Sequence, residues 1–149
     1  YDYVGGTVSR STSFVTGLIE DGKDRGFVSG RTLLFSKLRD SSDLRISYTD
    51  NFRAMIATSG VPAACTWEIY INGTRCASTS ARLQYSKFDH FNGGVVGRHS
   101  SSTVVGYCQG LPSGVNAIQV YVSPHVSSPV SDCFTGRQST FLLEAEEVN

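Results

Sequence analysis

Leu44, Ile46 and Tyr48 alternate with Arg45, Ser47 and Thr49, and this two-residue rhythm constrains the fold more than any other feature of the chain. Successive strand side chains point to opposite faces, so the rhythm describes one buried face and one wet face. Trp67, Ile69 and Ile71 alternate in the same way with Thr66, Glu68 and Tyr70, and Ile118, Val120 and Val122 with Gln119 and Tyr121. No amphipathic stretch at the helical period of 3.6 exceeds about two turns. Further strands are expected over residues 12–16, 31–38, 52–57, 81–86, 94–97, 103–108 and 140–147. Fifteen glycines and many serines and threonines separate these runs. About ten short strands with turns between them indicate an all-β sandwich or jelly roll. No repeat or linker divides the chain, so one domain over residues 1–149 is expected.

Charge and hydropathy narrow the function classes. Thirteen Lys plus Arg balance thirteen Asp plus Glu, and the one short charge run is acidic, at Glu144, Glu146 and Glu147. Nucleic acid or an anionic membrane requires clustered basic residues, so neither is an expected partner. The apolar runs are only a few residues long, so no membrane insertion is expected. The chain starts at Tyr1 with no charged-then-apolar leader, which reads as a mature product after signal removal. Four cysteines, Cys65, Cys76, Cys108 and Cys133, are too widely spaced for the close ligand pairs of a zinc site. No metal or other cofactor is expected. Two disulfides in a secreted, extracellular protein are the reading that also suits the sequon Asn72-Gly73-Thr74, a glycosylation acceptor.

Asn72-Gly73 lies between alternating strands and is a strong signal for a type I′ turn, which needs positive φ at both central residues. Such a hairpin sets Ile71 opposite Thr74 and Ile69 opposite Cys76. Cys65 then lies four residues beyond the partner of Cys76, roughly 13 Å away at about 3.3 Å per residue. A disulfide tolerates a Cα separation of up to about 7 Å. Either the two cysteines bond elsewhere or the chain bends, and three connectivities stay open.

The stretches LLFSKLRDSSDLRISYTD, ACTWEIYINGTRC, SSTVVGYCQGLPSGVNAIQVYV and TGRQSTFLLEAEEV, in that order, resemble the globular-head family of the collagen triple helix repeat-containing proteins. Those heads are of the C1q/TNF-like kind. The resemblance runs from about residue 27 to the C-terminus and implies a compact jelly-roll protomer that assembles into a homotrimer or a dimer of trimers. Eight Phe and seven Tyr are more aromatic residues than one small sandwich core readily hides, which also suggests an interface. Tyr48 and Tyr121 are expected to contribute to it. No Gly-x-y repeat precedes the head, from which a lone secreted head is expected. Isolated heads of this kind also resemble the galactose-specific lectins of marine sponges, and galactose-containing glycans enter as partners through that resemblance alone.

No Gly-x-Ser-x-Gly elbow, His-Glu-x-x-His or phosphate-binding glycine loop is present, so no catalytic residue is assigned and no enzyme is expected. Asp40 and Asp43 sit among polar turn residues and read as solvated carboxylates, and Asp50 with Asn51 supplies too few oxygens for calcium. Two irregular stretches, 86–102 and 123–139, are expected to be functional loops. Within the first, Asp89, His90 and Asn92 lie beside Phe88 and Phe91. A hexose offers adjacent hydroxyls and an apolar C–H face, and this loop combines acceptors, donors and rings. A tight glycine turn with an Asx cap accounts for the same residues. Arg98 and His99 could assist as donors, although the family resemblance implies a trimer-packing role for a His-Arg pair near this place. Trp67 is either a sugar platform or, as its shared face with Ile69 and Ile71 indicates, core.

Overall fold

The computed structural model describes residues 12–56, 63–76, 85–90, 99–126 and 128–148, with 85–90 as backbone. Ten strands are present among them: β1 Thr12–Gly17, β2 Gly26–Lys37, β3 Asp43–Met55, β4 Ala63–Ile71, β5 Thr74–Arg75, β6 Tyr85–His90, β7 Ser100–Cys108, β8 Gly114–Pro124, β9 Asp132–Thr135 and β10 Phe141–Val148. They form two five-stranded antiparallel sheets. The first runs β1-β10-β3-β7, with β9 also on β3, and the second runs β2-β8-β4-β5, with β6 also on β4. The expected all-β jelly-roll sandwich is the fold.

The period-two runs became strands because each has one apolar row to bury. β3 alternates without a break over its length, with Leu44, Ile46, Tyr48 and Phe52 fully buried. Leu143 and Ala145 on β10 widen that row within the first sheet, and Trp67, Ile69, Ile118 and Val120 on the second sheet close over it. The 52–57 segment is the end of β3, continuous with the run at 44–49. β2 begins at Gly26, earlier than residue 31, and carries a register shift between Phe27 and Thr32. The Asn-Gly turn has φ of 52° at Asn72 and 80° at Gly73, and Ile71 faces Thr74. Both are as the type I′ signal requires.

Two expectations about irregular segments are corrected. Residues 86–102 are not one loop, because 85–90 form β6 and 100–108 form β7. β6 lies alongside β4, pairing Glu68 with Tyr85 and Ala63 with His90, so backbone pairing, which side-chain chemistry hardly signals, decides its state. Of the strand expected at 81–86, residues 85 and 86 open β6, while 81–84 and the strand expected at 94–97 lie outside the described residues. The 123–139 segment contains β9, which pairs Cys133 with Ala54 and Phe134 with Arg53.

Three devices join the two sheets. Cys65 on β4 bonds Cys133 on β9, and Cys76 after β5 bonds Cys108 at the end of β7. Each bridge thus crosses the sandwich, and Cys65 does bond away from Cys76. Trp67 donates its indole N–H to Thr135 Oγ1 at 2.8 Å and packs on Phe52 at 4.6 Å between ring centroids. The third device is polar. Arg31 on β2 and Asp50 on β3 are both fully buried as side chains, with Nε and Nη2 each 2.8 Å from Asp50 Oδ2. Arg31 Nη1 donates to the carbonyls of Ile19 and Ser29, and the guanidinium lies 4.1 Å over the Phe141 ring. Tyr48 completes the group by donating to Asp50. Tyr48 is thereby a core residue rather than part of a subunit interface, and burial together with the Asp50 charge pushes its phenol well above the ordinary range.

Glycine at 136 is required by this arrangement. Its φ is +80°, and a Cβ there would collide with the Arg31 guanidinium and lie 2.6 Å from the Ile19 carbonyl oxygen. At the opposite end of the sandwich the buried Glu147 carboxylate accepts from the Leu38 and Arg39 amides and from Ser42 Oγ. It thereby fastens the β2–β3 turn to the last strand.

Candidate functional site

The outer face of the second sheet carries a surface groove. On β4 the outward positions are Thr66, Glu68 and Tyr70, and the cross-strand register sets Ser123 opposite Thr66 and Tyr121 opposite Glu68. Alternation delivers these side chains to one face because Cys65, Trp67, Ile69 and Ile71 occupy the other. A groove of about 240 Å³ opens there, lined by Thr66, Glu68, Arg75, Ser123, Pro124, His125 and Val126.

The polar groups of the groove are already ordered. Arg75 Nη1 donates to Glu68 Oε2 at 3.1 Å, with the Arg75 side chain mostly exposed and Glu68 only 15% exposed. Thr66 Oγ1 and Ser123 Oγ lie 3.2 Å apart. The backbone of His125 is fixed by its amide's bond to the Ala64 carbonyl at 2.8 Å. Next to the groove stand Tyr70 and Tyr121, stacked with ring centroids 5.0 Å apart, and Phe27 meets both edge-on at 5.5 and 5.3 Å. Partial burial, then the nearby Glu68 carboxylate, raises the Tyr70 phenol, so at neutral pH it stays protonated and able to donate. Tyr121, expected at an interface, belongs to this aromatic platform. The arrangement offers a carboxylate, a guanidinium and two hydroxyls in one shallow depression, with the tyrosine rings beside it. Such a set suits a small polyhydroxylated ligand with an apolar face.

The residues expected to bind sugar from sequence are brought together only in part. Asp89 and His90 lie on β6, opposite Ala64 and Ala63 of β4, so they flank the strand that lines the groove and are not on a loop. Asn92 and Arg98 lie outside the described residues. His99 is on the other sheet, immediately before β7, with its ring edge-on to Phe134 at 5.9 Å. Trp67 is corrected as a sugar platform: it is 0% exposed, and its one N–H is committed to Thr135. Asn72 is exposed but engaged. Its Nδ2 donates to Asn116 Oδ1 and its Oδ1 accepts from the Ala117 amide, both at 2.9 Å. The groove residues Glu68, Arg75 and Ser123 were not singled out from sequence. The available signal was the polar outward row of β4, but its partners come from two other strands. Among the described residues no group of three His, Cys, Asp or Glu is placed to hold a metal ion.

Two antiparallel five-stranded sheets in jelly-roll order, cross-braced by disulfides and presenting their chemistry on outer faces, define a C1q/TNF-like globular domain of extracellular type. Compared with known families, the sequence matches the CTHRC1 C-terminal domain over residues 13–143. The match spans most of the chain, and the chain belongs to that family.

Proposed function

We propose that this domain is a secreted carbohydrate-binding head for galactose-containing glycans, acting multivalently through a homotrimer or a dimer of trimers. The observation that carries the reading is the groove beside the Tyr70–Tyr121 stack, with the Glu68–Arg75 pair and the Thr66 and Ser123 hydroxyls at its wall. In this reading a pyranose lays its C–H face toward the tyrosines. Vicinal hydroxyls then donate to Glu68 and accept from Arg75. Asp89, His90, Asn92 and Arg98, which combine acceptors and donors in the sequence, stand as further candidate sugar contacts. His99 is placed apart from this groove. Assembly supplies avidity, because single sites of this shallow kind bind on the order of millimolar, about −4 kcal/mol.

Exposed Phe14, Leu142 and Tyr107 on the outer face of the first sheet support that face as the subunit contact. The same exposed residues favour the second reading, a signalling or matrix head that binds protein partners. Red-cell agglutination reversed by free galactose separates the two. With the lectin reading, Glu68→Gln should weaken galactose at least about tenfold in calorimetry, since a charge-assisted bond is worth about 1.5–3 kcal/mol. Light scattering should show a trimer or hexamer for both proteins. Unchanged affinity in Glu68→Gln would overturn the groove assignment, and a monomer at micromolar concentration would overturn the assembly.

A further inference from the structure

The far end of the first sheet holds a second concentration of polar groups. The cross-strand register pairs Arg53 on β3 with Phe134 on β9, and Phe52 with Ser100, which brings His99 beside Arg53. The guanidinium of Arg53 lies 5.4 Å, and that of Arg137 5.8 Å, from the Phe134 ring centroid. Asn51 stands two residues before Arg53 on the same face, and its carbonyl accepts from the Gly136 amide at 2.7 Å. This contact fixes the 136–139 turn against β3. Four buried side-chain atoms here have no hydrogen-bond partner among the described residues: Asn51 Oδ1, Arg53 Nε, His99 Nδ1 and Ser139 Oγ. An orphaned buried polar group is costly, so four on β3, the residue before β7 and the 136–139 turn require a reason.

The chemistry of the patch selects a ligand class. Arg53 is 11% exposed as a side chain and is paired to Asp132 through Nη2 at 2.8 Å, which leaves Nε aimed elsewhere. Arg137 is exposed. The facing carboxylates are Asp132, which is 47% exposed as a side chain and held by Arg53, and Glu20, which accepts from the Gln138 amide. Burial first, then the charges of Arg53 and Arg137, hold His99 below its ordinary value against the opposing effect of Glu20. The imidazole is therefore neutral at pH 7 and has one donor and one acceptor nitrogen. Two guanidinium groups call for an anion, whereas Asn51, Ser139 and neutral His99 call for hydroxyls.

We propose that the Phe134 end of the first sheet is a second saccharide site, for a carboxylate-bearing sugar such as a uronic acid. Arg137 and Arg53 Nε bind the carboxylate, and Asn51, His99 and Ser139 bind ring hydroxyls. The site shares no residue with the groove on the other sheet and stands whether or not that groove binds galactose.

The test is a titration of the whole domain with D-glucuronate, with D-galactose, acetate and inorganic sulfate as parallel probes, read by calorimetry and by the NMR pH titration of His99. A carboxylate seated beside the imidazole favours its charged form, so glucuronate should raise the His99 pKa and galactose should not. Arg137→Gln, at an exposed position, should weaken glucuronate at least about tenfold and leave galactose binding unchanged. Ser139→Ala should weaken glucuronate but not acetate. Sulfate or acetate matching glucuronate in affinity would mean an ion site only and overturn the sugar assignment. A His99 response to galactose equal to that to glucuronate, or unchanged glucuronate affinity in both variants, would overturn the site. A glucuronate effect confined to a change in particle size would assign these residues to contacts between copies and equally overturn it.

Discussion

Replacing Arg31 by Met keeps side-chain length while removing the cation that faces Asp50. Asp50 would then remain buried with, among the described residues, the Tyr48 hydroxyl and the Asn51 amide left to answer its charge. Breaking a buried pair by deleting one partner costs about 3–5 kcal/mol, because the survivor's charge is left without compensation. The Ile19 and Ser29 carbonyls lose their donor as well, and Phe141 loses its cation. Those losses overlap with the first, so about 4 kcal/mol is the working figure. For a domain of this size about 3–5 °C accompanies each kcal/mol, giving a fall in Tm of about 12–20 °C. Urea unfolding with disulfides intact can be followed through Trp67, the only tryptophan, which lies fully buried against Phe52. Arg31→Met combined with Asp50→Asn should be more stable than Arg31→Met alone, since the stranded charge is gone while Tyr48 keeps an acceptor. A loss below about 1 kcal/mol for the single variant, or strict additivity in the double, would refute the claim that the pair acts as a unit.

Gly136→Ala should cost about 2–4 kcal/mol, from the positive φ and the clash with Arg31, and should lower the thermal midpoint measurably. The Glu147 carboxyl is pushed up by burial but held below its ordinary 4.5 by Ser42 and by the Leu38 and Arg39 amides. A depressed carboxyl contributes stability that is fully present above its unfolded value and lost as pH falls through its folded value. Wild type should therefore exceed Glu147→Gln in Tm at pH 7, and the difference should close as pH falls below 4.5. A gap that persists at pH 2 would contradict this origin.

The fold was largely legible because burial of one strand face imposes a two-residue rhythm that no other structure shares, as at Leu44–Tyr48 and Trp67–Ile71. The Asn72-Gly73 hairpin was legible because positive φ narrows the residues that suit it. β9 was not, since four residues, DCFT, are too short to show a rhythm, and their partner Phe52–Met55 lies far away in sequence. Arg31, Lys37 and Asn116 sit at inward positions, where polar residues disguise the buried row. Tyr48 and Tyr121 looked alike in sequence, yet one closes a buried ion pair and the other stacks on the outer face. The disulfide pairing depended on which strands face each other across the sandwich, and one hairpin's spacing left all three connectivities open. The groove was hidden for the same reason: Glu68, Arg75 and Ser123 come from three strands and meet only through register.

The central claim is that the outer face of the second sheet recognises sugar. A ¹⁵N-resolved NMR titration with galactose, carried to about ten times an expected millimolar Kd, tests it most directly. The account predicts saturable shifts of the Glu68, Tyr70, Arg75, Tyr121 and Ser123 amides, absent with an equal concentration of a polyol that lacks a pyranose ring. Saturable shifts confined to other residues, or none at that concentration, would contradict it.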